Sequence, residues 1–245
     1  MNFRVRVKQL LSRFGLEIRR AGQSGYDPLA DMRRLSGSIR SPVVFDAGAN
    51  DGISVASFRD NLDNPTIHSF EPGRATFTIL QRRTAGLPNV HLNNLALGSQ
   101  RGRVEFIENT RSDMSSILEP SIECKGKIQD RYPVEVTTLD DYCAERHIPA
   151  IDILKSDTQG FDLEVIKGGK NLLTEQRIHL IYMEMTFCDM YKGLPRADDI
   201  FAYLFDYGFS LVSFYNFFYR DDLAAWCDVL VVNRAYQGNR RLTGQ

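Results

Sequence analysis

The stretch VVFDAGANDG, residues Val43–Gly52, predicts a buried strand, a tight turn and the start of a helix. Its first residues are apolar or small, which is typical of a strand inside a parallel sheet. After Asp46, glycines at positions 48 and 52 flank Asn50. Because glycine has no Cβ, the backbone of such a turn can lie directly against a ligand. The stretch therefore predicts a ligand-binding turn at the carboxyl end of the first strand.

The glycine spacing indicates which class of ligand this turn binds. A dinucleotide fingerprint has the pattern G-x-G-x-x-G, whereas Gly48 and Gly52 have Asn50 between them. This spacing favours S-adenosylmethionine over a nicotinamide dinucleotide. Glu71 follows a short predicted strand, 19 residues after Gly52, where a Rossmann unit presents a carboxylate to the ribose hydroxyls. Both ligand classes use such a carboxylate, so Glu71 indicates a nucleoside without choosing between them.

Four motifs along the chain resemble those of one enzyme family. They are VVFDAGANDG, FEPGRATF, NNLALGSQRG and ILKSDTQGFDLEVIKG, and in this order they resemble the FkbM-type S-adenosylmethionine-dependent methyltransferases. The resemblance extends over roughly residues 41–233 and implies a class I methyltransferase fold. Two positions depart from the family pattern. Asp51 stands where an aliphatic residue is common, and Gln159 stands where glutamate is common.

The resemblance, together with the positions of the motifs, implies which residues bind the cofactor. The first motif is expected to hold the methionine part through its aspartate and its turn, and Glu71 to bind the ribose. The residues after the third strand are expected to border the adenine, although Asn94 is equally typical of a turn residue that bonds nearby backbone. The expected cofactor-binding residues are Asp46, Gly48, Asn50, Gly52, Glu71, Asn94, Ala96 and Asp157.

The motif KSDTQGFD places several polar side chains at the end of a predicted buried strand, 151–156. A buried strand seldom ends in such a cluster without a ligand nearby, because unpaired buried charges are costly. Asp157 is a candidate to bind the cofactor's amino group, to act as a catalytic general base, or to ligate a divalent metal ion. Glu184, at the end of the next predicted strand, is the second catalytic candidate. Together these two carboxylates would also suit Mg²⁺, so a magnesium ion is a further candidate cofactor beside S-adenosylmethionine.

The composition predicts one domain of ordinary size. The chain has 245 residues, 43% of them hydrophobic, which is enough for a core, and it has no apolar run of membrane-spanning length. Its four cysteines are scattered without a C-x-x-C pair, which argues against a disulfide framework or a zinc site and favours a cytoplasmic location. Beyond residue 40 the net charge is −7, so no nucleic-acid partner is expected, because phosphate binding needs a cationic face.

Residues 1–40 form a predicted basic helical extension with a net charge of +6. Within residues 3–20, apolar side chains recur at helical spacing, and the basic residues lie mostly off that face. Such a helix either makes a peripheral contact with an anionic membrane surface or packs against its own domain or a second subunit. Residues 41–235 form the predicted methyltransferase domain, and residues 236–245 form a polar tail.

Beyond residue 42 the predicted strands and helices alternate, which indicates an α/β fold with a doubly wound, Rossmann-like, mostly parallel sheet. The last two strands have no helix between them, so the last strand is predicted to be antiparallel. Residues 103–138 are an insertion whose polar loop is expected to close over the acceptor. The strands are predicted at 43–47, 66–71, 89–95, 103–108, 133–138, 151–156, 178–185, 209–215 and 227–232. The helices are predicted at 28–35, 52–62, 73–84, 138–146, 161–168 and 197–207.

The sequence favours an O-methyltransferase that acts on a hydroxyl of a sugar, a glycolipid or a secondary metabolite. A nicotinamide-dependent oxidoreductase is the alternative, although the chain has no Tyr-x-x-x-Lys pair. A third interpretation is a scaffold that keeps the cofactor fold without turnover. The aromatic residues between positions 214 and 219 suit sugar stacking, core filling or a contact between two copies, so a homo-oligomer also stays open.

Overall fold

The computed structural model describes residues 5, 7, 10, 11, 13, 14, 22–37 and 39–236. A 3₁₀ turn, Ser112–Met114, interrupts the insertion. The helices are α1 (Pro28–Ser36), α2 (Ile53–Asn61), α3 (Arg74–Arg83), α4 (Leu139–Glu145), α5 (Asp162–Lys167), α6 (Lys170–Thr174) and α7 (Ala197–Asp206). The strands are β1 (Val43–Ala47), β2 (Thr66–Phe70), β3 (Val90–Asn93), β4 (Ala96–Leu97), β5 (Gly102–Asn109), β6 (Ile128–Thr137), β7 (Ile151–Ser156), β8 (Ile178–Thr186), β9 (Phe209–Arg220) and β10 (Leu223–Asn233).

The main sheet has seven strands in the order β3-β2-β1-β7-β8-β10-β9. The five strands from β3 to β8 pair in parallel, and β10 pairs antiparallel with both β8 and β9. This confirms the predicted doubly wound sheet with an antiparallel last strand. Strand order reverses between β1 and β7, and ligands of such sheets bind in the crevice beyond the carboxyl ends at that point. The topology therefore brings the ends of β1 and β7 to one ligand-binding edge.

The hairpin formed by β9 and β10 is longer than predicted. Its strands cover 209–220 and 223–233 rather than 209–215 and 227–232. The two residues between them, Asp221 and Asp222, have positive φ angles of 49° and 64°, as in a two-residue hairpin turn. Because the pair Asp-Asp is a weaker signal than Asn-Gly or Asp-Gly, the sequence did not indicate how far the strands continue.

The insertion forms a second, three-stranded sheet in the order β4-β6-β5. Its strands β5 and β6 confirm the two strands predicted there. The strand predicted at 89–95 is shorter, because Asn94 turns away and its side-chain amide donates to the backbone oxygens of Glu71 and Pro72. The chain then enters the second sheet at Ala96. A cluster of buried side chains around Phe106 and Tyr132 forms the core of this sheet.

Two apolar clusters cover the two faces of the main sheet. One includes Leu139, Val165 and Leu204 from helices α4, α5 and α7, and the other includes Met32 from α1 and Val55 from α2. Helix α5 confirms the helix predicted at 161–168, and α6, which follows after two glycines, is an additional helix that was not predicted. The sheet is therefore covered on both faces, and a ligand would bind at the edge formed by the carboxyl ends of its strands.

Only a few positions of the predicted N-terminal helix lie among the described residues. Val5, Val7, Leu10 and Leu11 are helical, and Leu10 is exposed. Most of residues 3–20 lie outside the described part of the chain, so the predicted membrane or subunit contact remains a prediction. Among the described residues, no helix has the length and apolarity needed to cross a membrane.

Candidate active site

The turn after β1 is held against the end of β7 at very close range. Gly48 and Asn50 both have positive φ angles, 73° and 47°. The backbone amides of Gly48 and Ala49 both donate to the Phe70 carbonyl oxygen at 3.0 Å. A Cβ on Gly48 would overlap the backbone carbonyl oxygen of Asp157. Glycine is thus required at position 48 both by its backbone conformation and by the space available.

A cavity of roughly 650 Å³, open to solvent at its mouth, lies beside this turn. Its walls include five of the eight expected cofactor-binding residues: Gly48, Asn50, Glu71, Ala96 and Asp157. The buried side-chain oxygen of Asn50 has no hydrogen-bond partner among the described residues. A buried polar atom without a partner beside a cavity is what a polar ligand would satisfy.

Glu71 is buried, and each of its carboxylate oxygens accepts one backbone hydrogen bond. Oε2 accepts from the Asn50 amide at 2.9 Å, and Oε1 accepts from the Gly73 amide at 2.7 Å. Burial raises the pKa of Glu71 to about 7, against the lowering effect of these two bonds. Each oxygen keeps a second lone pair, so the carboxylate is still able to accept from a ribose diol.

Asp46, Gly52 and Asn94 are next to the cavity without lining it. The Asp46 side chain is fully buried and forms an ion pair with Lys155 at 3.1 Å. Although burial lowers the pKa of Lys155, the carboxylates of Asp46 and Asp157 raise it above its usual value, so the amine stays charged. Lys155 donates to the Gly48 carbonyl oxygen at 2.8 Å. Asp46 therefore acts on the turn through Lys155.

The two candidate catalytic carboxylates come together at the ends of β7 and β8. The Gln159 side-chain amide donates to Asp157 Oδ1 at 3.0 Å and to Glu184 Oε1 at 3.3 Å. Burial raises the pKa of Glu184 well above its usual value, and the negative charge of Asp157 raises it further. Such a shift favours a proton on the pair formed by Asp157 and Glu184, which we call the carboxylate pair.

A third acid, Asp228 on β10, is paired with Glu184 in the sheet register. Its Oδ2 accepts from the Tyr182 hydroxyl at 2.6 Å and from the Asn216 amide at 2.7 Å. In the described part of the chain, no group of three or more His, Cys, Asp or Glu side chains has the arrangement to hold a metal ion. The Mg²⁺ interpretation of the carboxylate pair therefore gains no support, and a side-chain amide lies between the two carboxylates.

The polar loop of the insertion lies against the cavity. Ser112, Asp113, Ser115 and Ile117 line it, together with residues of the cofactor turn. The Ser116 hydroxyl donates to the Gln159 backbone oxygen at 2.8 Å. The loop therefore forms part of the cavity wall, and its expected closure over the acceptor stays a prediction.

Sequence reasoning missed several residues that the structure brings to the site. Phe106, Thr158 and Phe161 line the cavity, and Tyr191 contacts Gln159 through its hydroxyl. Thr158 and Phe161 lie within the motif KSDTQGFD, so the polar residues beside them could have indicated that they lie at the site. Tyr191 lies beyond β8 in a segment with no recognisable pattern, and nothing local indicated its place.

Comparison with known proteins identifies the family. Residues 46–211 match the family profile described as the methyltransferase FkbM domain. The 2-O-methyltransferase NoeI of Sinorhizobium fredii is 30% identical over 163 residues, which cover 62% of this chain and 66% of that protein. Methyltransferase sdnD of Sordaria araneosa is 26% identical over 156 residues, 52% of this chain and 60% of that protein. The chain thus spans slightly less than two thirds of the length of each of these relatives.

Among solved structures, magnesium protoporphyrin IX methyltransferase from Synechocystis PCC 6803, with bound S-adenosylmethionine, is 13% identical with a TM-score of 0.48. That alignment covers 95% of this chain and 85% of the other. The match to the family profile extends over more than half of the sequence, from the first strand of the sheet to its edge strand. The chain therefore belongs to the FkbM methyltransferase family.

Proposed function

We propose that this protein is an S-adenosylmethionine-dependent O-methyltransferase that acts on a hydroxyl of a sugar, a glycolipid or a secondary metabolite. The observation that carries the proposal is the cavity beside the β1 turn, which has the unpartnered Asn50 oxygen and the buried Glu71 on its walls. The carboxylate pair lies at the adjoining strand ends. One edge of the sheet thus offers both a nucleoside site and a proton acceptor.

The residues of the cavity suit the cofactor. Glu71 would accept from the ribose hydroxyls, while the turn from Gly48 to Asn50, held by Lys155 and Asp46, would face the methionine part. Ala96, Phe106 and Phe161 supply an apolar wall for the adenine. When bound, S-adenosylmethionine supplies an electrophilic methyl group on a sulfonium.

The carboxylate pair would take up the proton that the acceptor hydroxyl loses. Methyl transfer forms a carbon–oxygen bond as the carbon–sulfur bond breaks, and the hydroxyl proton must leave. Asp157 lines the cavity and its side chain is 43% exposed, so it is the member of the pair closer to an incoming acceptor. Glu184 is more buried, and its burial together with the negative charge of Asp157 raises the pKa of Glu184.

The choice of oxygen and of acceptor class rests on similarity. A relative with 30% identity is named a 2-O-methyltransferase, which supports an oxygen target. The sugar, glycolipid or secondary-metabolite acceptor follows from the resemblance of the motifs. The division into an extension, a methyltransferase domain and a tail, the cytoplasmic location, the membrane contact of residues 3–20 and a homo-oligomer remain predictions.

The cofactor part of the proposal is tested by calorimetric titration of the purified protein with S-adenosylmethionine, S-adenosylhomocysteine and NADPH. We expect the two sulfur ligands to bind and the dinucleotide not to bind. Binding of NADPH alone would favour the oxidoreductase, and failure of all three ligands would favour a scaffold. Transfer of labelled methyl groups to a panel of glycans and glycolipids then identifies the acceptor.

The carboxylate pair is tested by Asp157→Asn and Glu184→Gln in that transfer assay. Loss of a general base typically lowers the rate by about 10²-fold or more. We expect that loss for Asp157→Asn and a smaller one for Glu184→Gln, with S-adenosylhomocysteine affinity within about twofold of wild type for Glu184→Gln, since Glu184 does not line the cavity. Asp51→Asn is the matched control, because Asp51 pairs only with Arg83 on the surface. Full activity of Asp157→Asn would remove Asp157 from the reaction.

A further inference from the structure

Tyr191 is a buried residue to which neither the sequence motifs nor the proposed reaction gives a role. It lies five residues beyond β8, and its side chain is 1% exposed. Its hydroxyl lies 2.9 Å from Gln159 Oε1 and 3.2 Å from the Met114 carbonyl oxygen. Burial raises the pKa of Tyr191, so the hydroxyl keeps its proton. Neither acceptor oxygen has a proton of its own, so Tyr191 is the donor to both, and Gln159 Oε1 is the nearer acceptor of its single proton.

The other end of the Gln159 amide faces the carboxylate pair. Its nitrogen donates one proton to Asp157 and one to Glu184, at 3.0 and 3.3 Å. The Gln159 backbone is in the left-handed region, with φ of 54°, and its carbonyl oxygen accepts from the Ser116 hydroxyl. Both donors and the acceptor of this side chain are therefore used. Asp157 lies two residues away, whereas Glu184 and Tyr191 come from distant parts of the chain.

We propose that Tyr191 is a positioning residue that acts through Gln159: its hydroxyl holds the side-chain amide with both N–H groups directed at Asp157 and Glu184. The inference rests on the proposed function, because it concerns the group that takes up the acceptor's proton. A hydrogen bond to the amide oxygen also polarises the amide and strengthens its donation from nitrogen. Tyr191 thus sets the proton affinity of the carboxylate pair without touching the acceptor or the cofactor.

The physical need for such a device follows from the closeness of the two acids. Two neighbouring carboxylates disfavour each other's ionisation, so the pair tends to hold a proton and to lose its capacity as a base. Burial and the negative charges of Asp157, Asp162 and Asp228 raise the pKa of Glu184, whereas Lys155, 3.7 Å from Asp157, lowers it. A neutral donor directed at both carboxylates stabilises their charged forms in addition to this lysine. Glutamine suits this role, and the tyrosine hydroxyl fixes which end of its amide faces the acids.

The experiment is a titration of the Glu184 and Asp157 side-chain carbons by ¹³C NMR, from about pH 5 to about pH 9, in the full chain. The variants are Tyr191→Phe, Gln159→Met and the double variant. Because hydrogen bonds to the charged form lower the titration midpoint, we expect Glu184 to titrate about half a pH unit higher in Tyr191→Phe. In Gln159→Met, where both donors are lost, the rise should be about one unit or more.

The double variant separates positioning from general packing. If Tyr191 acts through Gln159, then Tyr191→Phe adds no further shift in the Gln159→Met background. The control is Tyr215→Phe, which removes another buried hydroxyl that donates to a carboxylate, that of Asp31, at 2.8 Å. This control should leave the Glu184 midpoint within about 0.2 units of wild type, since Asp31 lies outside the site.

Two results would overturn the inference: an unchanged Glu184 midpoint in Tyr191→Phe, or a shift that persists in the Gln159→Met background. If Tyr191→Phe fails to fold, Gln159→Met still tests the inference. An unchanged Glu184 midpoint in Gln159→Met would overturn it, because Tyr191 is proposed to act through Gln159. Calorimetry with S-adenosylhomocysteine on the same proteins keeps the two proposals apart. Wild-type protein that does not bind it contradicts the proposed function, whereas the titration shifts test Tyr191 alone.

Discussion

In the site that we propose, the cofactor side and the acceptor side are built in different ways. On the cofactor side, the β1 turn relies on backbone groups and on close approach, and Asn50 keeps an unpartnered oxygen beside the cavity. On the acceptor side, Asp157 and Glu184 are already bonded to a protein amide. The cofactor side thus has hydrogen-bonding capacity left for a ligand, whereas the acceptor side is arranged by the protein itself. Substitutions on the two sides should therefore differ in what they disturb.

The largest effect is expected for Gly48→Ala, which tests the close approach on the cofactor side. The new Cβ would overlap the Asp157 carbonyl oxygen and the residue would keep a φ of 73°, so we expect the free energy of unfolding to fall by about 4 kcal/mol. Urea denaturation measures this loss, and calorimetry should detect no S-adenosylhomocysteine binding. Gly86→Ala is the matched control, since Gly86 has φ of 77° and open space around it, and a loss of about 1 kcal/mol is expected there. Equal losses would refute the close-contact argument.

A smaller loss is expected for Asp46→Asn, which tests whether the turn depends on the buried ion pair. The change leaves Lys155 buried with only Asp157 as an ionic partner, at 3.7 Å. Removing one member of a buried pair typically costs about 3 kcal/mol. Asp51→Asn is the control, because its partner Arg83 is 43% exposed and such surface pairs contribute about 0.5 kcal/mol or less. Similar unfolding midpoints for the two variants in urea would argue against a structural role of Asp46.

A pH dependence caused by Glu71 is expected to be of similar size. Its pKa is raised to about 7, from an ordinary value of 4.5, so the folded protein favours the protonated form. The stabilisation from this proton is complete below about pH 4.5 and is lost as the pH rises through about 7. Glu71→Gln stays neutral, so wild type should lose about 3 kcal/mol relative to this variant between about pH 4.5 and about pH 8. Parallel stability curves for the two proteins would show that Glu71 titrates normally.

The Glu71 carboxyl group should also make ligand affinity depend on pH, separately from its effect on stability. If ribose hydroxyls donate to Glu71, they stabilise its ionised form, and binding releases a proton. S-adenosylhomocysteine affinity should then rise about tenfold between about pH 6 and about pH 8 in wild type, and stay level in Glu71→Gln. Calorimetry in buffers of different ionisation enthalpy would measure how many protons are released when S-adenosylhomocysteine binds. No pH dependence in wild type would place the ribose away from Glu71.

Much of the fold was predictable because its signals are local. The apolar runs at β1 and β7, followed at once by glycine or by charged residues, indicate strands that end at a ligand-binding edge. The lack of a helix between β9 and β10 predicted their antiparallel arrangement correctly. The lengths of those strands were not predictable, since pairing continues to the Asp221–Asp222 turn and depends on a partner strand. The second sheet was missed for the same reason, because β4 has only two residues and exists only through β6.

The sequence by itself determined the family, the sheet and the presence of Gly48, Glu71 and Asp157 near one edge. Each of these three residues lies directly after a strand that the apolar residues of that strand predict. Only the tertiary structure decided that Asp46 faces Lys155 instead of the cavity, and that the insertion loop lines the cavity. It also decided that Tyr191, from beyond β8, meets Gln159 from beyond β7. Contacts of this kind join residues far apart in the chain, and neither periodicity nor spacing records which distant side chains share a hydrogen bond.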